Sequence, residues 1–171
     1  MRRPLIALGA VAVTGASVFA LGRCLPLKHT ARRSLEVRRP PEAVWDALTD
    51  IDRYPRWRPG LIRVERLPDE RGGIRWREYE SHGDVAYEVV DATPPLRLVT
   101  AVADPRLPFG GTWTYEITPW PGGCTLTIVE RGEIRSPLFR VVARFVTGYT
   151  AQLERYLTAL GAQLAEEAPG A

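Results

Sequence analysis

The sequence predicts an α+β fold in which one curved antiparallel sheet wraps around a long C-terminal helix. Three observations predict it. Alternating apolar and polar segments recur about every ten residues with turn residues between them, as in a meandering antiparallel sheet. Prolines 40, 41, 55 and 59 bracket two short helical stretches after the first strand. Over 137–167, Leu138, Val142, Phe145, Tyr149, Leu153, Tyr156, Leu160 and Leu164 recur at three- and four-residue spacing, the stripe of an amphipathic helix.

Each element follows in order. "SLEVRR" (34–39) alternates as a first strand and ends at Pro40-Pro41. Pro41 suits the first position of a helix through residue 50, where Val44, Trp45 and Leu48 share a face. "IDRYPRW" (51–57) is a second short helix. Tyr54 and Trp57 wedge it onto the sheet, and Arg53, Arg56 and Arg58 are expected to face water. Strands follow at 61–67, 74–80, 84–91, 96–102, 112–118 and 124–134, with Gly132 placed to form a bulge in the last. Pro137 opens the closing helix and Pro169-Gly170 ends it.

Residues 5–22 form a run of 18 without a charge. A helix of that length covers about 27 Å, enough to cross a hydrocarbon core. It reads as an N-terminal apolar helix that anchors the chain in a bacterial-type membrane. Arg23, Lys28, Arg32 and Arg33 follow the span, so the positive-inside tendency leaves the domain on the cytoplasmic side. The alternative is export, with signal cleavage near Gly22. The chain then divides into an anchor or signal (1–23), a basic linker (24–33), the folded domain (34–167) and a tail (168–171).

The net charge of +3 conceals an asymmetry. Residues 1–33 carry six basic residues and no acid, which leaves 17 basic against 20 acidic residues over 34–171. A slightly acidic body argues against nucleic acid, although "DRYPRWRP" (52–59) interleaves arginines with aromatic rings. Cys24 and Cys124 stand far apart, and with His29 and His82 they are too few for a zinc site of the usual kind. No metal or other cofactor is expected. The Gly-Gly pairs at strand ends read as turns rather than phosphate cradles.

The segment 36–65 resembles the opening of the SRPBCC group, which includes START-related lipid-transfer domains, pollen-allergen-like proteins and polyketide cyclases/dehydratases. The resemblance rests on Pro41, Ala43, Val44 and Trp45 of the first helix and on Asp50, Tyr54, Pro55 and Trp57 of the turn after it. It extends over residues 34–166. It implies the helix-grip fold, with a hydrophobic cavity between sheet and closing helix, and it leaves carriers, sensors and enzymes all open.

Alternation selects side chains for that cavity: Trp76, Tyr87, Leu98, Trp113, Tyr115 and Ile128 from the strands, with Phe145 and Tyr149 from the helix. Glu78 and Glu130 fall on the same faces. A carboxylate among apolar side chains must be paired, hydrated or neutralised, and burial makes it a candidate acid or base. A structural role is the competing reading for both. His82, at a turn, is a possible proton shuttle and more simply an exposed residue. Arg140 and Arg144 lie one turn apart and read as a solvated face, with an anionic lipid headgroup as the other option. The expected function is membrane-tethered binding of a hydrophobic small molecule or lipid. A cyclase/dehydratase-type enzyme using a glutamate with a tyrosine is the second reading, and an interaction domain without a small ligand the third. The sequence does not give the oligomeric state.

Overall fold

The computed structural model describes residues 17–68, 72–81 and 83–167. Among these, seven strands form one antiparallel sheet: β1 Lys28–Val37, β2 Leu61–Leu67, β3 Arg75–Glu80, β4 Gly83–Thr93, β5 Arg97–Val102, β6 Phe109–Trp120 and β7 Gly123–Ile134. Their spatial order is β1-β7-β6-β5-β4-β3-β2, so the chain meanders from β2 to β7 and brings β1 in beside β7. Helix α1 (Pro41–Thr49), a 3₁₀ turn (Ile51–Arg53) and the short α2 (Tyr54–Trp57) link β1 to β2. The six later strands stand close to their expected positions.

β1 begins six residues earlier than the alternation suggests. Residues 28–33, expected as a basic linker, pair with β7 from Lys28↔Glu133 through Arg33↔Ile128. β1 is an edge strand, so its lysine and arginines reach water without breaking the ladder. Gly132 pairs in register with both Gly111 and His29, so it forms no bulge. Register shifts occur instead between Leu61 and Arg63 in β2 and between Val89 and Asp91 in β4. Such irregularities bend a sheet and increase its twist.

The closing helix is interrupted. It consists of α3 (Pro137–Val142), one π-helical turn (Ala143–Thr147) and α4 (Ala151–Glu166). Gly148, at φ 72°, takes a left-handed conformation that ends the first part. The apolar spacing is continuous through this region, which is why the sequence reads as one helix. Only α4 behaves as expected. Its Leu153, Tyr156, Leu157, Leu160 and Leu164 are buried against Leu98, Tyr115, Leu126 and Ile128 of the sheet and Val44 and Leu48 of α1. Each fully buried leucine contributes about 1.5–3 kcal/mol. A smaller cluster of Ile51, Tyr54, Leu61 and Trp76 fixes the 3₁₀ turn and α2 on the β2–β3 edge.

Residues 17–24 are helical, but residues 1–16, most of the expected apolar span, lie outside the described set, as does His82. Among the described residues no helix is long and apolar enough to cross a membrane. Cys24 is exposed and Cys124 is buried on β7, both as free thiols. No cluster of three metal-ligating side chains occurs among the described residues.

Candidate functional site

The concave face of the sheet and the interrupted helix enclose a cavity of about 420 Å³. That is within the usual size range for small-molecule sites. Its walls come from Tyr87 on β4, Thr100 and Val102 on β5, Phe109 and Trp113 on β6, and Glu130 and Ile134 on β7. Phe139, Val142, Ala143 and Tyr149 close it from above. Gly110, Gly111 and Gly132 line one wall. Gly111, at φ 135°, could not carry a side chain: a Cβ there would lie 2.2 Å from the Arg131 carbonyl oxygen.

Glu130 and His29 form a polar pair on this wall. Glu130 lies directly across from Trp113 in the β6–β7 ladder, and the Trp113 indole favours the charged form of its carboxyl. His29 Nε2 stands 3.4 Å from Glu130 Oε1, with side-chain exposures of 12 and 16 %. The His29 ring stacks on Tyr149 with centroids 4.3 Å apart and planes 18° from parallel. Burial pushes the Glu130 carboxyl above its usual range, and the neighbouring His29 and Trp113 offset part of that rise. A carboxyl so placed beside an imidazole can take up and release protons at the cavity wall. His29 was absent from the expected site because its segment read as linker.

Glu78 has a different environment. Its Oε1 accepts from Arg58 Nη1 at 2.5 Å and from Trp76 Nε1 at 2.9 Å. The Arg58 guanidinium lies 5.1 Å from the Tyr54 ring centroid and 5.4 Å from that of Tyr156. Burial disfavours the arginine charge, yet the Glu78 charge and hydrogen bond outweigh it and hold Arg58 above its usual range. Arg58 therefore does not face water as expected; Arg53 and Arg56 are exposed. Glu78 lines the cavity with its carboxylate paired to the Arg58 guanidinium, an arrangement that also makes it a structural link between β3 and the end of α2.

The expected lining residues divide. Tyr87, Trp113 and Tyr149 face the cavity. Leu98, Tyr115 and Ile128 do not, because α4 packs directly on them and makes them core. Trp76 is buried in the smaller cluster, its ring stacked on Tyr87 with centroids 5.6 Å apart. Phe145 is not a lining residue, because the π turn leaves it 63 % exposed. Arg140, expected on a solvated face, is 7 % exposed and donates through Nη1 to the Leu25 carbonyl at 2.8 Å.

A second depression, of about 960 Å³, runs along the outer side of α4 past Arg58, Gly60, Ser81, Tyr156 and Ala159. It meets the first at Glu80, Trp113, Gln152 and Arg155. The smaller cavity, with aromatic walls and a few convergent polar groups, is the better-formed ligand site.

Comparison with known proteins supports this architecture. The structure resembles that of the di-domain ARO/CYC protein StfQ from the steffimycin biosynthetic pathway, at a TM-score of 0.66 and 18 % identity over 82 % of this chain. The chain spans about half the length of that protein, covering 52 % of it. Norcoclaurine synthase from Thalictrum flavum, in complex with dopamine and hydroxybenzaldehyde, gives a TM-score of 0.65 at 13 % identity, covering 83 % of this chain and 89 % of that one. A START superfamily protein from Mycobacterium smegmatis gives 0.63 at 18 % identity, covering 82 % and 99 %. At these identities the likeness is one of fold. No curated protein matches the chain. The family model described as polyketide cyclase / dehydrase and lipid transport matches residues 28–164, starting where β1 starts, and the chain belongs to that helix-grip family.

Proposed function

We propose that the protein binds a hydrophobic small molecule or lipid in the cavity between the sheet and the interrupted helix, and that residues 5–22 hold it at a membrane with the domain on the cytoplasmic side. The observation that carries the binding reading is the cavity of about 420 Å³, walled largely by aromatic and aliphatic side chains, with the Glu130–His29 pair on one wall. A ligand there would bury its apolar body against Phe109, Trp113, Phe139 and Tyr149 and present one polar group to Glu130. Tethering suits a ligand that partitions into the bilayer. The test is native mass spectrometry of the detergent-purified protein, with an organic extract of the same sample. A co-purifying apolar molecule, displaced when Val102→Trp fills the cavity, is the expected result. A protein that carries no adduct and takes up none from a lipid extract would refute the reading.

A second reading is a cyclase/dehydratase-type reaction, favoured by the one proton-exchanging pair on the cavity wall. Glu130 as carboxylate would take a proton from carbon next to a carbonyl. Tyr87, whose hydroxyl is kept protonated by burial, would donate to the carbonyl oxygen. The proton taken from carbon then leaves Glu130 for the departing hydroxyl, and Tyr87 recovers its own as the carbonyl reforms, so the balance closes with loss of water. Glu130→Gln would abolish turnover and leave ligand retention intact. Unchanged turnover would remove Glu130 from the chemistry.

A further inference from the structure

The segment that roofs the cavity is apolar on its outer side as well. Leu138, Phe139, Val142, Phe145 and Val146 are 52, 47, 37, 63 and 75 % exposed. Water-exposed apolar side chains grouped in one short segment mark a surface that something else covers. The π turn and the left-handed Gly148 place them there, because they rotate Phe145 and Val146 out of the stripe that α4 continues.

The same surface is joined to the N-terminal segment. Gly22 packs so closely on α3 that a Cβ would stand 2.1 Å from the Pro137 carbonyl oxygen. Arg140 adds a second tie through the Leu25 carbonyl. Phe19, Leu21 and Leu27, on either side of that contact, are 51, 46 and 43 % exposed. Residue 22 closes the uncharged run of 18 residues. Whatever holds residue 22 at a bilayer therefore holds Pro137 in contact with it. Arg23 and Arg144 are exposed at the edge of the apolar surface, and among the described residues neither has a carboxylate partner.

We propose that the α3–π segment, 137–147, is immersed at the headgroup–acyl boundary of a bilayer containing anionic lipid, so that the cavity opens into lipid rather than water. Arg23 and Arg144 would meet the phosphates while Phe145 and Val146 enter the acyl region, the arrangement of an interfacial amphipathic helix. A ligand would then pass beneath Phe139 and Val142 without crossing water. This rests on the reading of residues 5–22 as a membrane segment.

The test uses the full chain in vesicles of phosphatidylcholine and phosphatidylglycerol. An environment-sensitive fluorophore is attached at Phe145→Cys, and separately at Val146→Cys, each with Cys24→Ser. Ile62→Cys on β2, at a position 65 % exposed, is the control. Doxyl-labelled phosphatidylcholine should quench the label at 145 and at 146 by half or more, and aqueous iodide should not. The label at 62 should show the reverse. Quenching by iodide at both 145 and 146 would overturn the proposal. So would shielding from both quenchers, which would mean that another part of the chain or a second copy covers the surface. The readout needs no molecule in the cavity. An empty cavity would thus defeat the binding reading alone; iodide quenching at 145 and 146 in protein that floats with the vesicles would defeat this one alone, and protein that does not float with them would defeat the membrane reading of residues 5–22 and this proposal together.

Discussion

The imidazole of His29 occupies the space that a side chain at Gly132 would fill. The two residues are cross-strand partners, and a Cβ at Gly132 would stand 2.2 Å from His29 Cε1. The glycine thus seats the ring that meets Glu130 and Tyr149. Gly132→Ala should displace that ring, lower stability by about 1–3 kcal/mol through overpacking, and shift the His29 imidazole resonances. With two histidines in the chain, those resonances are simple to assign. Wild-type spectra in the variant would mean that the ring is not seated on Gly132.

The Arg58–Glu78 pair predicts non-additive energetics. Removing either partner leaves the other charge buried, and Arg58→Met or Glu78→Leu alone should cost about 3–5 kcal/mol. The double variant should recover a large part of that loss, as urea midpoints in a double-mutant cycle would show. If Glu78 were instead a reacting group, Glu78→Gln would reduce turnover at nearly unchanged stability.

Glu130 makes stability depend on pH with a definite sign. Its folded carboxyl is raised above the ordinary value by burial. The folded state therefore holds the proton more tightly than the unfolded state does. Its contribution is fully present below the unfolded pKa of about 4.3 and is lost as pH rises through the folded value. Glu130→Gln should flatten the stability curve above about pH 4, measured by urea midpoints across a pH series. A variant curve parallel to wild type would show that Glu130 does not titrate differently on folding.

Arg140 ties the N-terminal segment to α3. Arg140→Met preserves much of the apolar stem and removes the bonds to Leu25 and Arg135. Amide exchange at residues 22–27 should accelerate about tenfold, the equivalent of about 1.4 kcal/mol, while exchange in α4 stays unchanged. Faster exchange throughout α4 as well would show that Arg140 supports the whole fold.

The strands were legible because each buries one face, and period-two alternation records that directly. α1 and the Tyr54–Trp57 turn were legible through their prolines and aromatic residues. β1 was legible only in its second half. In 28–33 Ala31 is buried, and the rest of that stretch is polar or basic, so its strand character comes from pairing with β7 about 100 residues away. The helix break was hidden because Leu138, Val142 and Phe145 extend the periodicity of the buried stripe while staying exposed. Gly148, next to Thr147, Tyr149 and Thr150, was the available signal. At the site, alternation set Glu130, Trp113 and Tyr87 on the face that lines the cavity. It could not tell that Glu78 meets an arginine 20 residues earlier, or that His29 arrives from the edge strand, because both are tertiary partnerships.

The break at Gly148 separates two tasks that an unbroken helix would combine. α4 belongs to the main core and shares its cooperative unfolding, whereas α3 and the π turn contribute mainly exposed side chains and a roof. The roof can therefore open through a local fluctuation without the cost of global unfolding. Substitutions in 137–147 can then accumulate and retune what enters the cavity while the melting temperature stays nearly constant. Substitutions at the buried positions Leu153, Tyr156, Leu157, Leu160 and Leu164 have no such freedom. Among related chains, the roof is accordingly where divergence in ligand choice would be concentrated.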